Sequence, residues 1–417
     1  MNERSDIMDV AIMFRDLAII IFSAKIFGLI ARKLKAPQVV GEIIAGLLLG
    51  LITINGEKFI NAETGVLPYL AEIGVVLIMF SAGLGTNLRD LIKAGPKALL
   101  IATAGVFVPF FAGITYYFIA YGNSYFDFNG LIIGAILTAT SVSITVQALR
   151  ELGYLKGKVG TTILSAAVID DIIGMIVLTV VMSVKPNEAG NTGALEVLKT
   201  IGLILLFFVF AIVVGFVSYK IFKLIDKKYE HTRKIPIFGV ALCFFLAFMS
   251  SAVFGVADII GAYCAGIILC NIKDSSYVAN KIDINSYMIF GPIFFASIGL
   301  KTDFRLIDGK IILFAIGFVL IGLVTKIIGC GLAAKATKYT WSESAKIGIG
   351  MMTRGEVALI VANKGVSMGL PNSFFAAVIL LIVVSSILTP ILLKILYTKY
   401  PEHNNEFEIA QRENLDD

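Results

Sequence analysis

Between Thr161 and Val184 the chain runs 24 residues with one interruption, the adjacent carboxylates Asp170 and Asp171, and apolar runs of about this length recur from end to end. At ~1.5 Å rise per residue such a run crosses a hydrocarbon core of ~30 Å, so each reads as a membrane-spanning helix. A transmembrane barrel would show strands of about 10 residues with alternating polarity instead. The composition agrees, with 58% hydrophobic and 16% charged residues. The expected fold class is therefore an all-α integral membrane bundle, with no large soluble domain.

Helices are placed over residues 10–33, 39–53, 69–86, 96–121, 129–151, 157–184, 194–227, 235–254, 256–272, 280–301, 308–337, 343–368 and 372–398, thirteen in all. An odd number puts the termini on opposite sides. Lys and Arg concentrate in alternate connections, above all around Asp226, Lys227, Lys228, Arg233 and Lys234, while the connection with Lys301, Arg305 and Lys310 fits worst. The positive-inside rule then gives an N-terminus outside and a C-terminus in the cytoplasm of a cell that carries the protein in its inner or plasma membrane. The formal charge of +5 is explained by these loops, and nucleic acid is not an expected partner. Cys243, Cys264, Cys270 and Cys330 lie inside apolar runs without metal-type spacing, so neither a disulfide framework nor a zinc site is expected. The first segment lacks a small-residue cleavage site and is read as a retained helix. The tail after Pro401 is short and acidic, too poor in apolar residues to fold alone, so no regulatory domain is expected there. His231 and His403 fall in cytoplasmic segments and read as solvated loop residues.

An ionised Asp at mid-bilayer costs about 2.5 to 3.5 kcal/mol on insertion scales, and this helix carries two. A functional ion or proton site is the expected reason. Lys326 is the single charge between Lys310 and Lys335, half-way along its helix. Paired with one Asp it would hold that carboxylate ionised and leave the other to titrate. In helix five Thr138, Thr140, Ser141, Ser143 and Thr145 crowd the centre of a span, and in helix twelve Gly348, Gly350, Arg354, Gly355 and Glu356 interrupt another. Hydroxyls compete for main-chain hydrogen bonds, and broken helices are tolerated at membrane depth where they line a cavity. The trios of helices four to six and eleven to thirteen, with helix seven between the halves, suggest an inverted repeat. Arg354 and Glu356, two apart, point to different sides of their helix, with Glu72 a candidate partner for Arg354. Adjacent helical Asp residues diverge by about 100°, which excludes a dyad of two facing carboxyls sharing a proton, as an intramembrane aspartic protease would need. Carboxylates, hydroxyls, freed carbonyls and water are oxygen ligands of the kind a hard cation such as Na⁺ takes.

Seven stretches together resemble the cation:proton antiporter-2 family: PQVVGEIIAGLLLG from Pro37, LAEIGVVLIMFSAG from Leu70, TATSVSITVQAL from Thr138, VIDDIIG from Val168, FFASIGL from Phe294, KIIGCGLAAK from Lys326 and GMMTRGEVALIVA from Gly350. The resemblance implies a thirteen-helix homodimer in which a core with two crossing broken helices moves against a dimerisation scaffold. Residues 1–95 and 185–307 would supply scaffold and linker, 96–184 and 308–398 the two core halves, and 399–417 the tail. It implies Asp171 as the ion- and proton-binding carboxylate, Asp170 as the neighbour that pairs with Lys326, and Thr140 and Ser141 as further cation ligands; from their place in the break of helix twelve, Arg354 and Glu356 are expected to support the site. The double Asp resembles the electrogenic members. The nucleotide-binding domains of potassium-efflux relatives are missing, which favours a simple exchanger.

The expected activity is exchange of Na⁺, or of Li⁺ or K⁺, for H⁺ by alternating access, with these transported ions in place of any cofactor. A cation channel is the competing class, and two buried acids with a counter-lysine obstruct a continuous pore. The choice among monovalent cations rests on sub-ångström geometry that a sequence does not give.

Overall fold

The computed structural model describes residues 2–34, 36–54, 57–60, 65–86, 88–122, 124–125, 127–183, 193–228, 234–301, 309–371 and 373–402. His231, His403, Arg233 and Arg305 lie outside them, as does the side chain of Glu356. In chain order the elements are α1 (Asn2–Lys33), α2 (Gln38–Gly50), β1 (Thr53–Ile54), β2 (Glu57–Lys58), α3 (Leu67–Leu84), α4 (Leu88–Tyr121), α5 (Phe128–Thr138), α6 (Val142–Glu151), α7 (Lys158–Ser183) and α8 (Gly193–Lys228). There follow α9 (Lys234–Phe248), α10 (Asp258–Leu269), α11 (Ser275–Asn285), α12 (Gly291–Leu300), α13 (Gly309–Ala336), α14 (Trp341–Gly350), α15 (Glu356–Ser367) and α16 (Ser373–Lys399). A π-helical turn at Met249–Val253 extends α9, and another at Ser286–Phe290 joins α11 to α12.

The all-helical expectation holds apart from a small antiparallel ribbon, in which Thr53 faces Lys58 and Ile54 faces Glu57. Among the described residues nine helices are long and apolar enough to cross a membrane. The first expected span is not among them, because Arg15, Asp16 and Lys25 fall inside α1. Arg15 answers the charge of Asp16 with a 2.7 Å ion pair. Three further apolar helices, Gln38–Gly50, Asp258–Leu269 and Val357–Val366, are shorter.

The chain divides into two compact units. The first comprises residues 1–85 and 202–308. Within it α2 packs on α1 and α12, and α3 on α10 and α12. The α2–α12 contact is a backbone approach: a Cβ on Gly46 would strike the Ala296 carbonyl, and one on Gly299 the main chain of Ile43 and Leu47. In a membrane, where lipid is as apolar as the helices, such close contact replaces the hydrophobic effect as the source of packing energy.

The second unit comprises residues 86–201 and 309–417. Here α4 packs on α5, α7 and α13, and α13 packs also on α14 and α16. Local signals start two of its helices. Asp127 caps α5 by accepting from the Asn129 N–H at 3.2 Å. Thr340 and Glu343 close a reciprocal capping box at α14, with bonds of 3.2 and 2.7 Å.

Candidate functional site

Helix five of the sequence reading is two helices. After Thr138 the backbone turns extended at Ala139 (φ −54°, ψ 138°), and Ser141 (φ −101°, ψ 110°) precedes α6. Helix twelve breaks likewise, over residues 351–355 between α14 and α15. Each break strips main-chain groups of their helical partners, and in an apolar interior every such group must find another. The two breaks supply one another. Ser141 N–H donates to the Thr353 carbonyl at 2.8 Å, Thr145 Oγ1 donates to the Gly350 carbonyl at 2.8 Å, and the hydroxyls of Thr145 and Thr353 bond at 3.0 Å. Gly355 lies against the Ser141 side chain. The serine and threonine crowding therefore marks where the chains cross.

Asp170 sits on α7, 1% exposed. Its Oδ1 accepts from Lys326 Nζ at 2.7 Å and its Oδ2 from Thr140 Oγ1 at 2.7 Å. Lys326, fully buried on α13, also donates to the Thr138 carbonyl at 3.0 Å. The carboxylate is thus held from the first break on one side and from α13 on the other. Gly105 of α4 makes room for this, since a Cβ there would stand 2.6 Å from Cys330 Sγ and 3.3 Å from Asp170 Oδ1. Asp171 follows on the same helix, 8% exposed, about 100° further round. Ser141 Oγ bonds Ser143 Oγ at 3.3 Å.

Among the described residues Arg354 is one of the largest fully buried side chains. Its hydrogen bonds run to main-chain carbonyls: Nη1 to Ala139 and, at 3.5 Å, to Thr138, and Nη2 to Gly322 at 3.1 Å. Glu72, its candidate partner from sequence, stands on α3 of the first unit. The guanidinium instead answers the carbonyl end of α5, where the helix dipole is negative. Glu356 opens α15. Among the described residues no three His, Cys, Asp or Glu side chains gather as a metal cage would require.

The sequence reading did not single out Thr353, Gly105, Gly322, Ser385 or Ser386, all of which touch this network or line it. For Ser385 and Ser386 a signal existed, two adjacent hydroxyls inside an apolar span shortly before Pro390.

Residues 18–399 match the model of the family described as sodium/hydrogen exchanger, transmembrane. The chain is 35% identical over 382 residues to the Na(+)/H(+)-K(+) antiporter GerN of Bacillus cereus, covering 91% of this chain and 95% of that one. It is 31% identical over 380 residues to an Na(+)/H(+) antiporter of Enterococcus hirae, covering 91% and 96%. In fold it is similar to the sodium proton antiporter MjNhaP1 of Methanocaldococcus jannaschii, with a TM-score of 0.72 over 95% of this chain and 99% of that one at 17% identity. With its family match over residues 18–399 and relatives aligned over more than nine-tenths of both lengths, the chain belongs to the sodium/hydrogen exchanger family of transmembrane proteins.

Proposed function

We propose that this protein is a secondary antiporter that exchanges Na⁺ for H⁺ by alternating access, with Asp171 as the carboxylate for which the two ions compete. The observation that carries the reading is the buried pair of Lys326 and Asp170 at 2.7 Å, set against the break that holds Thr140. Two carboxylates and a lysine sealed at membrane depth are costly, and ion or proton pathways are where such groups are found. The names of the similar proteins, antiporters of Na⁺ and H⁺, support the same reading.

One ion excludes the other at Asp171. A proton neutralises the carboxylate and removes the charge a cation needs, and a bound cation holds it ionised. Thr140 donates its proton to Asp170 and so has lone pairs left for a cation, and the Thr138 and Ala139 carbonyls are held by Lys326 and Arg354. A cation arriving between Asp171 and Asp170 weakens the hold of Asp170 on Lys326. If the released ammonium gives up its proton, two protons leave for one Na⁺ and net charge crosses. Electrogenic exchange is accordingly the reading taken, with thirteen spans arranged as an inverted repeat, N-terminus outside and C-terminus in the cytoplasm of an inner or plasma membrane, and a homodimer as the working assembly. The second unit would be the moving core, the first the scaffold.

K⁺ as the cargo is a second reading, supported by the K⁺ in the name of the GerN relative. Everted vesicles carrying a pH-sensitive dye decide both points. Na⁺, Li⁺ and K⁺ added in turn should release protons in the order of preference, and Asp171→Asn should abolish the response. Silence of the parent protein to all three cations refutes antiport, and parental activity in Asp171→Asn refutes the assignment of the carboxylate.

A further inference from the structure

The break between α14 and α15 raises a question that α16 answers. The last helix-type N–H bond of α14 is that of Met352 to the Ile349 carbonyl at 3.2 Å, and beyond it both main-chain groups of Arg354 would be bare in a dry interior. Two neighbouring serines of α16 take them. Arg354 N–H donates to Ser385 Oγ at 3.0 Å, and Ser386 Oγ donates to the Arg354 carbonyl at 3.4 Å. Ser385 spends its own proton on the Ile382 carbonyl at 3.0 Å and so meets Arg354 with a lone pair. Both serines are fully buried. Pro390, four residues after Ser386, has no N–H to give the Ser386 carbonyl, so the ladder of α16 is already open beside the clamp.

The clamp has a single line of consequence. It fixes the Arg354 backbone, and through it a guanidinium that holds the Ala139, Thr138 and Gly322 carbonyls. The Thr138 carbonyl also receives Lys326 Nζ at 3.0 Å, the same ammonium that holds Asp170. From Ser385 to Asp170 the path is continuous in hydrogen bonds, and every side chain on it is buried.

We propose that Ser385 and Ser386 are positioning residues for the cation site: by gripping the N–H and carbonyl of Arg354 they set the guanidinium that orients the first break toward Asp170 and its lysine. The proposal rests on the antiport reading and deepens it by naming what adjusts the site from a third helix. Outer-shell groups that orient an ion's ligands typically change its affinity 10- to 100-fold on removal, so Ser385→Ala is expected to raise the KM for Na⁺ about 10-fold. Maximal rate should change far less, and the pH for half-maximal exchange should move. Ser385→Thr, which keeps an oxygen at the same branch point, should restore the parental KM.

The experiment measures proton release against Na⁺ concentration at several pH values in everted vesicles, for the parent, Ser385→Ala, Ser385→Thr and Ser386→Ala. Membrane abundance and melting temperature are followed for each. A parent that exchanges no cation overturns the antiport reading, whatever the variants do. An active parent with an unchanged KM and pH profile in Ser385→Ala and Ser386→Ala overturns the clamp alone. Should Ser385→Ala fail to accumulate, Ser386→Ala and Ser385→Thr decide: a raised KM in the first with a parental value in the second supports the proposal, and parental values in both overturn it.

Discussion

Replacing Lys326 by Met removes the charge and keeps an unbranched side chain only one atom shorter. At 2.7 Å and an effective dielectric of about 20, the attraction between Lys326 and Asp170 is on the order of 6 kcal/mol. Drying the two ions costs several kcal/mol each, so the intact pair adds little to stability compared with an apolar pair of the same shape. Breaking it is another matter. Asp170, 1% exposed, would keep one hydrogen bond from Thr140 and no ammonium, and an uncompensated buried charge costs about 3 to 5 kcal/mol. At roughly 2 to 4 °C per kcal/mol for a domain of 150 to 250 residues, Lys326→Met is expected to melt about 6 to 20 °C below the parent. Asp170→Asn in the same background should recover most of the loss, a coupling of about 3 kcal/mol. The assay is thermal unfolding of the purified protein in detergent, for both single variants and the double. Single losses under about 2 °C that simply add in the double variant would refute the account of the pair. Charge movement on a solid-supported membrane completes the test, and Lys326→Gln is expected to reduce its voltage dependence.

Glu402, just beyond α16, accepts from the Val159 N–H at 3.2 Å, in the first turn of the helix that carries the Asp pair. Burial pushes its carboxyl above the usual carboxylate range, against the lowering pull of the Val159 bond and of Lys346, which itself donates to the Tyr400 carbonyl at 2.6 Å. A carboxyl raised in the folded state stabilises fully below its unfolded value of ~4.3, and that stability is lost as pH rises through the folded value. Glu402→Gln keeps an acceptor without the charge, so its melting temperature should gain on the parent as pH climbs through that window; a pH-independent difference would contradict this. Gly46→Ala drives a methyl into the Ala296 carbonyl and is expected to cost well over 1 kcal/mol, lowering folded yield in membranes and melting temperature. A parental melting curve for Gly46→Ala would remove the close α2–α12 contact.

Much of the fold was legible because lipid imposes one rule, that the backbone pair with itself, and long apolar runs are its trace. The acids at 170 and 171 and the lysine at 326 stood out for the same reason, as the costly exceptions in such runs. The two breaks were legible as clusters of hydroxyls and glycines, though not their bounds, since either end of a cluster could begin the extended segment. What the sequence withheld is partner choice across space. Arg354 could have faced a carboxylate, and the fold instead gives it carbonyls of the first break and of α13. Glu402 looked like part of an unstructured tail, and its docking on Val159 depends on where α16 ends relative to α7. The helix expected over 10–33 begins at Asn2, eight residues earlier than the apolar run indicated.

The carbonyl oxygen of Thr138 takes an ammonium and a guanidinium at once. An atom shared in this way ties the fates of two cations: lengthening either side chain, or swapping one basic group for the other, crowds or releases its companion. Retuning the protein for a larger or smaller passenger therefore calls for coordinated substitutions on α13 and at the second break, and a library that varies one of them alone is built to fail.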